Sequence, residues 1–288
     1  KSRAEKAAAT AASQREAALA WLERAYAESM AALVAEQGNQ ARLEVQAAEA
    51  AYRAARGSQA DIFTARSALA TFDDRASDIR RRITNATIRL ARRVGDAAQR
   101  ELAAKPAVSA IPLEPGALEA QLAQHPDIAV LSKQEEIGAT EASLARADKK
   151  ADWSVEVAFQ QRGAAYSNMV SVGLSVPLQW NQKNRHDREL SARLAQAEQA
   201  RAERDDALLE QVAEVRATMN DWHTARERHA RYEQELVPLA VSRTTAQMAA
   251  YRGGKASLAE VLAARSTELS VRLEALQLES DAAQQWAK

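Results

Sequence analysis

The sequence predicts a mainly α protein made of long antiparallel helical hairpins, interrupted once by a β-hairpin. Three observations predict it: an alanine-rich composition, a 3.5-residue apolar period, and a segment that repeats itself 199 residues downstream. Alanine is 68 of 288 residues, about 24%, and removing it from the 47% hydrophobic fraction leaves about 23%. That is thin for a compact core of this length and suits long helices packed through small residues. Thirty-nine basic and 39 acidic side chains cancel, which excludes a strong global pull toward nucleic acid or acidic lipid. Cysteine is absent, so disulfides, thiolate metal sites and cysteine nucleophiles are excluded.

The helices come first. From Lys1 to Arg56 there is no proline and one glycine, Gly38; the rest is mostly Ala, Glu, Arg, Gln and Leu, all good helix formers. Lys183 to Arg252 has the same helix-forming composition, with Pro238 its one proline, and would span about 105 Å as one helix. Apolar positions there run Leu208, Val212, Val215, Met219, Trp222, Ala225, His229, Tyr232, Leu236 and Leu239, in steps of three and four that average close to 3.5. That is the coiled-coil period, with charges filling the solvated positions.

The repeat comes next. Residues 51–67, AYRAARGSQADIFTARS, match residues 250–266, AYRGGKASLAEVLAARS, at eight of 17 positions without a gap. Gly57 in one copy and Gly253-Gly254 in the other allow the chain to leave a helix. Ser58-Gln-Ala-Asp61 and Ser257-Leu-Ala-Glu260 then read as capping boxes that open a new helix. Each copy is therefore the turn of a helical hairpin. Gly38-Asn39 and Val237-Pro238 fall at equivalent positions, about 14 residues before each turn, and predict a kink or loosening in both ascending helices.

Between the repeats the period changes to two. Trp153, Val155, Val157 and Phe159 alternate with Ser154, Glu156, Ala158 and Gln160. After Gly163–Asn168 a second run places Val170, Val172, Leu174, Val176 and Leu178 on one face and Ser171, Gly173 and Ser175 on the other. Each run is about 10 residues, the length of a transmembrane β-strand, with Trp153 and Trp180 at the base where an aromatic girdle would lie. A hairpin in a small soluble sheet is the competing reading; a transmembrane helix is excluded by the glycines, Pro177 and the alternation. A lone hairpin is not stable in water or lipid, so it must join other strands. At the same offset a partner hairpin falls upstream of Lys1, so the chain is expected to be N-terminally truncated.

The expected organisation is a first-repeat helical hairpin over 1–95 with its turn near 54–58, and a linker or equatorial region over 96–116. A helix leading to the membrane covers 117–151, the barrel hairpin 152–180, and a second-repeat helical hairpin 181–288 with its turn near 252–257.

The turn Tyr251-Arg-Gly-Gly-Lys-Ala-Ser-Leu-Ala-Glu-Val-Leu262 resembles that of TolC-type outer-membrane factors. Asp152-Trp-Ser-Val-Glu-Val157, Met169–Leu178 and Asn184-Arg185 resemble their second barrel hairpin, most of all in the cobalt–zinc–cadmium and copper–silver efflux branch. His125-Pro-Asp127 before the strands has the same look. The resemblance implies a homotrimeric tube: four strands per full protomer in an outer-membrane barrel, long helices in a periplasmic α-barrel, and no enzyme activity or cofactor. The implied role is the passive exit duct of a tripartite pump, for heavy-metal cations, working with a periplasmic adaptor and an inner-membrane transporter. The implied location is the outer membrane of a Gram-negative bacterium with a large periplasmic part. A periplasmic adaptor and a soluble coiled-coil scaffold are the alternatives.

Site residues follow from the resemblance and the alternation. Tyr251 and Glu260, with Tyr52 and Asp61 in the first copy, are the candidates for a constriction at the tip; for the two carboxylates, helix capping is the competing role. Ala256 and Ala263 stand where the best-known member of the family has an arginine and a second aspartate, a departure from its locking network. Arg53, Arg252, Gly253, Gly254 and Lys255 are the candidates for adaptor contact. Glu156, Gln160, Arg162, Ser171 and Ser175 would face the barrel lumen if the valine face meets lipid. His223 and His229 lie six apart, which is not a same-face ligand pair, and no metal site is expected.

Overall fold

A computed structural model describes residues 2–111, 117–150, 152–163, 166–176 and 185–288. Pro177, Leu178, Trp180 and Asn184, which carry part of the barrel expectation, lie outside the described residues. The elements are α1 (Ser2–Arg53), α2 (Gln59–Val94), a 3-10 turn (Gly95–Gln99), α3 (Leu118–Leu122) and α4 (Pro126–Ala147). Then come β1 (Ser154–Gln160), β2 (Met169–Ser175), α5 (His186–Arg231), a π segment (Tyr232–Leu236), α6 (Val237–Arg252) and α7 (Leu258–Ala287). Contacts group the chain into two units, Lys1–Ala9 with Glu114–Val212 and Thr10–Leu113 with Ala213–Lys288.

In the first unit, α4 opens on the expected His125-Pro-Asp sequence. The Asp127 amide donates to His125 Nδ1 at 3.4 Å, and Pro126 occupies the first turn, where no amide is needed. The helix then runs antiparallel to α5, tied by Lys149–Asp187 (2.6 Å), Arg193–Glu141 (2.8 Å) and Arg204–Glu135 (3.2 Å). A Cβ on Gly138 would lie 3.2 Å from Ala197 Cα, so glycine lets the two backbones meet there.

β1 and β2 pair antiparallel with Val155 opposite Leu174, Val157 opposite Val172 and Phe159 opposite Val170. Ser154/Ser175, Glu156/Gly173 and Ala158/Ser171 take the other face. The alternation in the sequence and the register agree residue by residue, because side chains in a ladder alternate with period two.

The second unit is helical. α1 and α2 lie antiparallel, laced by Arg66–Glu49 (2.7 Å), Arg42–Asp73 (3.5 Å), Arg89–Glu23 and Arg93–Glu16. α7 is buried on two sides. Leu269, Leu273 and Leu276 pack with Met30, Val34 and Ala41 of α1 and Phe72 and Ile79 of α2. On the opposite side, Ala282 meets Trp222 and Ala225 of α5. Each fully buried leucine contributes about 1.5–3 kcal/mol relative to exposure, and small residues such as Ala41 and Ala264 let the rods approach. The segment after the 3-10 turn straps this bundle. Val108 packs on Leu22 and Tyr26, Ile111 on Trp222, and the Ala110 carbonyl accepts from Trp286 Nε1 at 2.9 Å.

Of the two ascending arms expected to kink or loosen, the first needs correction and the second does not. α1 passes through Gly38 without interruption, since one glycine costs a helix only about 1 kcal/mol. The second arm does loosen, as the π segment just before Pro238. Proline lacks the amide that the carbonyl four residues back would accept, and a wider turn accommodates it. The widened turn also advances the buried stripe: Ala240 is buried where Leu239 was expected, and Leu239 is 65% exposed.

Candidate functional site

The two hairpin turns have the same construction. In the first, the amides of Ala54, Ala55 and Arg56 donate to the carbonyls of Ala50, Tyr52 and Ala51 at 3.0, 2.9 and 2.8 Å. In the second, Gly253, Gly254 and Lys255 donate to Ala249, Tyr251 and Ala250 at 3.0, 3.0 and 2.8 Å. Each pattern satisfies the last carbonyls of a helix through one residue in the left-handed region. In the second turn that residue is Gly254, φ +71°; in the first it is Ala55, φ +57°. Gly57, expected to be the flexible point, acts otherwise: a Cβ there would stand 3.1 Å from Ala51 Cβ. The signal for Ala55 was present in the alignment, which sets it opposite Gly254.

Both capping boxes form. The Asp61 amide donates to Ser58 Oγ (3.2 Å) and the Ser58 amide to Asp61 Oδ2 (2.8 Å). The Glu260 amide donates to Ser257 Oγ (3.3 Å) and the Ser257 amide to Glu260 Oε2 (2.7 Å). These backbone bonds, reinforced by the serine hydroxyls, hold both carboxyls below their ordinary pKa, so Asp61 and Glu260 are anions down into the acid range.

The two tip tyrosines part company. Tyr251 packs against Ala48, Ala65, Leu258 and Leu262, whereas Tyr52 is 48% exposed. Arg53, Arg252, Gly253, Gly254 and Lys255 are exposed around the turns. One ion pair that the sequence did not announce lies beneath them. Arg265 Nε donates to Glu44 Oε1, joining the second hairpin to the first. Glu44 is nearly sealed from solvent; burial raises its pKa against the lowering influence of Arg265. Deeper still, Tyr26 donates to Glu279 Oε1 at 3.2 Å, with Lys105 Nζ 4.0 Å from the ring centre. Burial and the Glu279 charge push the Tyr26 hydroxyl pKa upward.

On the β-ribbon, Glu156, Gln160 and Ser171 lie on the polar face with Ser175, and Arg162 follows the end of β1; all are exposed. The apolar face is exposed as well: Val155, Val157, Phe159, Val170, Val172 and Leu174 range from 55% to 70%. Among the described residues no helix is long and apolar enough to cross a membrane, and no three acidic or histidine side chains gather as a metal site.

Known proteins share this fold. The chain superposes on OprN, an outer-membrane channel, with a TM-score of 0.87 at 19% identity, covering 99% of this chain and 66% of that one. VceC, an outer membrane protein from Vibrio cholerae, gives 0.82 at 20% identity, with 99% and 70% covered. CusC, whose structures concern transmembrane channel formation, gives 0.88 at 14%, with 99% and 69% covered. The chain thus spans about two thirds of the length of these structures. No curated protein sequence matches it. A family model described as outer membrane efflux protein matches residues 117–288, more than half of the chain. On that match, the chain belongs to the outer membrane efflux protein family.

Proposed function

We propose that the protein is the protomer of a homotrimeric outer-membrane exit duct, the passive last component of a tripartite efflux pump. In this reading it is not an enzyme and carries no cofactor. The α1–α2 and α6–α7 hairpins are two structural repeats that build a periplasmic tube, and the ribbon β1–β2 enters an outer-membrane β-barrel. A periplasmic adaptor docks at the tip through Arg53, Arg252 and Lys255, and an inner-membrane transporter feeds the tube. The cargo we propose is heavy-metal cations. Two things support it: the resemblance of the strand and His125-Pro-Asp segments to that branch, and two tip carboxylates, Asp61 and Glu260, held ionised by their caps. Repeated threefold beside Tyr52 and Tyr251, they would attract cations and repel anions at the entrance.

The observation that carries the reading is the one-sided ribbon. Six large apolar side chains share one exposed face of a two-stranded sheet. Such a ribbon is not stable alone in water. Lipid on the apolar face and neighbouring strands at its edges supply what it lacks, which leaves Glu156, Gln160, Arg162, Ser171 and Ser175 toward a wet lumen. The test uses the full-length protein. Val157→Arg or Val172→Arg places a charge on the lipid side, at a cost of about 2–4 kcal/mol near the bilayer midplane. Density fractionation should find these variants depleted from the outer membrane, with Ser171→Arg retained. Equal retention of all three would overturn the barrel assignment.

A further inference from the structure

Residues 75–93 of α2 hold seven arginines and one acidic residue, Asp78, a net charge of +6 in a chain whose total is zero. The excess is particular to this helix: at the 199-residue offset Arg75, Arg80 and Arg82 correspond to Glu274, Glu279 and Asp281 of α7. The surrounding fold does not neutralise it. Asp78 serves both Arg81 (2.5 Å) and Arg82 (3.0 Å), and Glu23 and Glu16 of α1 take Arg89 and Arg93. Arg75 and Arg80 donate to the hydroxyls of Ser270 (3.4 Å) and Ser77 (2.9 Å). Among the described residues no carboxylate pairs with Arg75, Arg80 or Arg92. The ion pairs that do form stand at the surface, where each is worth little and yields to a competing anion.

The excess charge is laid out along a line. Arg81, Asn85, Ile88 and Arg92 follow at steps of four, three and four, so they share a face, turned away from the buried Ile79, Ala86 and Leu90. All four are exposed. Arg81, Arg82, Asn85, Ile88 and Arg89 border a groove of about 460 Å³ with Glu23 of α1. The line runs about 16 Å from Arg81 to Arg92 and begins about 35 Å along the helix from Ser58, clear of the tip.

We infer that this face of α2 binds the peptide stems of peptidoglycan. The inference rests on the exit-duct reading, which puts α2 in the wall of a tube between two membranes, and goes beyond it by giving that wall a partner. The cell wall is the polyanion such a tube has to pass, and its stems carry free carboxylates, amides and alanine methyls. Guanidinium groups pair with carboxylates fork to fork. Asn85 supplies an amide donor and acceptor, and Ile88 an apolar contact for the methyls. An extended peptide advances about 3.3–3.6 Å per residue, so a stem of four or five residues matches the reach from Arg81 to Arg92. A groove between two helices admits one extended chain and not the surface of a bilayer.

The test uses the full-length protein in nanodiscs of zwitterionic lipid, sedimented with purified peptidoglycan sacculi. The wild type should pellet with the sacculi and be released as salt rises. Arg81→Glu with Arg92→Glu should weaken binding about tenfold, and the milder Arg92→Gln, which breaks no ion pair within the chain, about threefold. Arg53→Glu with Arg252→Glu makes the same change of charge at the tip and should bind as the wild type does. Sacculi with their carboxyls amidated should leave the protein in the supernatant. No pelleting of the wild type, full binding by both α2 variants, equal loss in the tip variant, or undiminished binding to amidated sacculi overturns the inference. So does equal capture by phosphatidylglycerol vesicles with the same sensitivity to the α2 variants, which makes lipid phosphate the partner. A protein that fractionates with the outer membrane yet ignores sacculi overturns this inference alone; one that never reaches the outer membrane overturns the duct reading along with it.

Discussion

Exchanging alanine and glycine between the two turns tests the physics of the tip most directly. Ala55 sits at φ +57° and Gly254 at φ +71°, in turns closed by the same three hydrogen bonds. A left-handed conformation costs an L-residue roughly 1–2 kcal/mol, from the clash of Cβ with the following carbonyl. Glycine escapes that cost, but its freer unfolded chain takes back about 0.4–1 kcal/mol. The balance is about 1 kcal/mol in favour of Ala55→Gly and a similar loss for Gly254→Ala. A Cβ on Gly254 would meet nothing within 4 Å, so that loss comes from the backbone alone. About 1 kcal/mol is near fivefold in a local opening equilibrium. Hydrogen exchange read by mass spectrometry over residues 50–61 and 249–260 measures it. A single melting temperature would not, because the contacts divide the chain into two units and one cooperative transition is not expected. Ala55→Gly should slow exchange at the Arg56 amide about fivefold, and Gly254→Ala should speed it at Lys255. Unchanged protection in both variants would refute the argument that the left-handed residue limits turn stability.

Two further outcomes follow from the same coordinates. Gly138→Ala places a Cβ 3.2 Å from Ala197 Cα; overpacking of about 1–3 kcal/mol outweighs the roughly 1 kcal/mol of helix propensity regained, so the α4–α5 pair should lose about 1 kcal/mol, read as faster exchange in residues 130–145. Ser58→Ala removes one box and should cost about 1 kcal/mol at neutral pH. The acid dependence of the boxes has a definite sign. Asp61 and Glu260 titrate below their ordinary 3.8 and 4.5, so their contribution is complete above those values and disappears as pH falls through the lowered ones. Protection at the two turns, taken relative to the intrinsic exchange rate at each pH and followed from pH 6 downward, should fall in that window; Asp61→Asn should flatten the change at the first turn only.

Much of the fold was legible because its cause is local. The 4–3 spacing in Val212, Trp222 and Ala225 marks a buried helical stripe through geometry that neighbouring residues impose. Ser58-x-x-Asp61 and Ser257-x-x-Glu260 spell out their caps within four residues, and the alternation from Val155 to Leu174 fixes which side chains share a face. Pro238 announced a disturbed helix, though not its form, and the π turn moved the buried position from Leu239 to Ala240. Gly38 announced a kink that the packed length of α1 overrides.

What the amino-acid sequence determined alone is therefore the set of rods, the two reversals, the caps and the two-faced ribbon, because each depends on residues a few positions apart. Tertiary structure decided which tyrosine of an equivalent pair is packed and which is open. It decided that Arg265 reaches across 221 residues to Glu44 while the matching Arg66 turns to Glu49. It also decided that α7 is covered on both sides and α2 on one. Those outcomes depend on which rods lie side by side, and helices this rich in alanine carry the same period on several faces; only the packed arrangement selects among them.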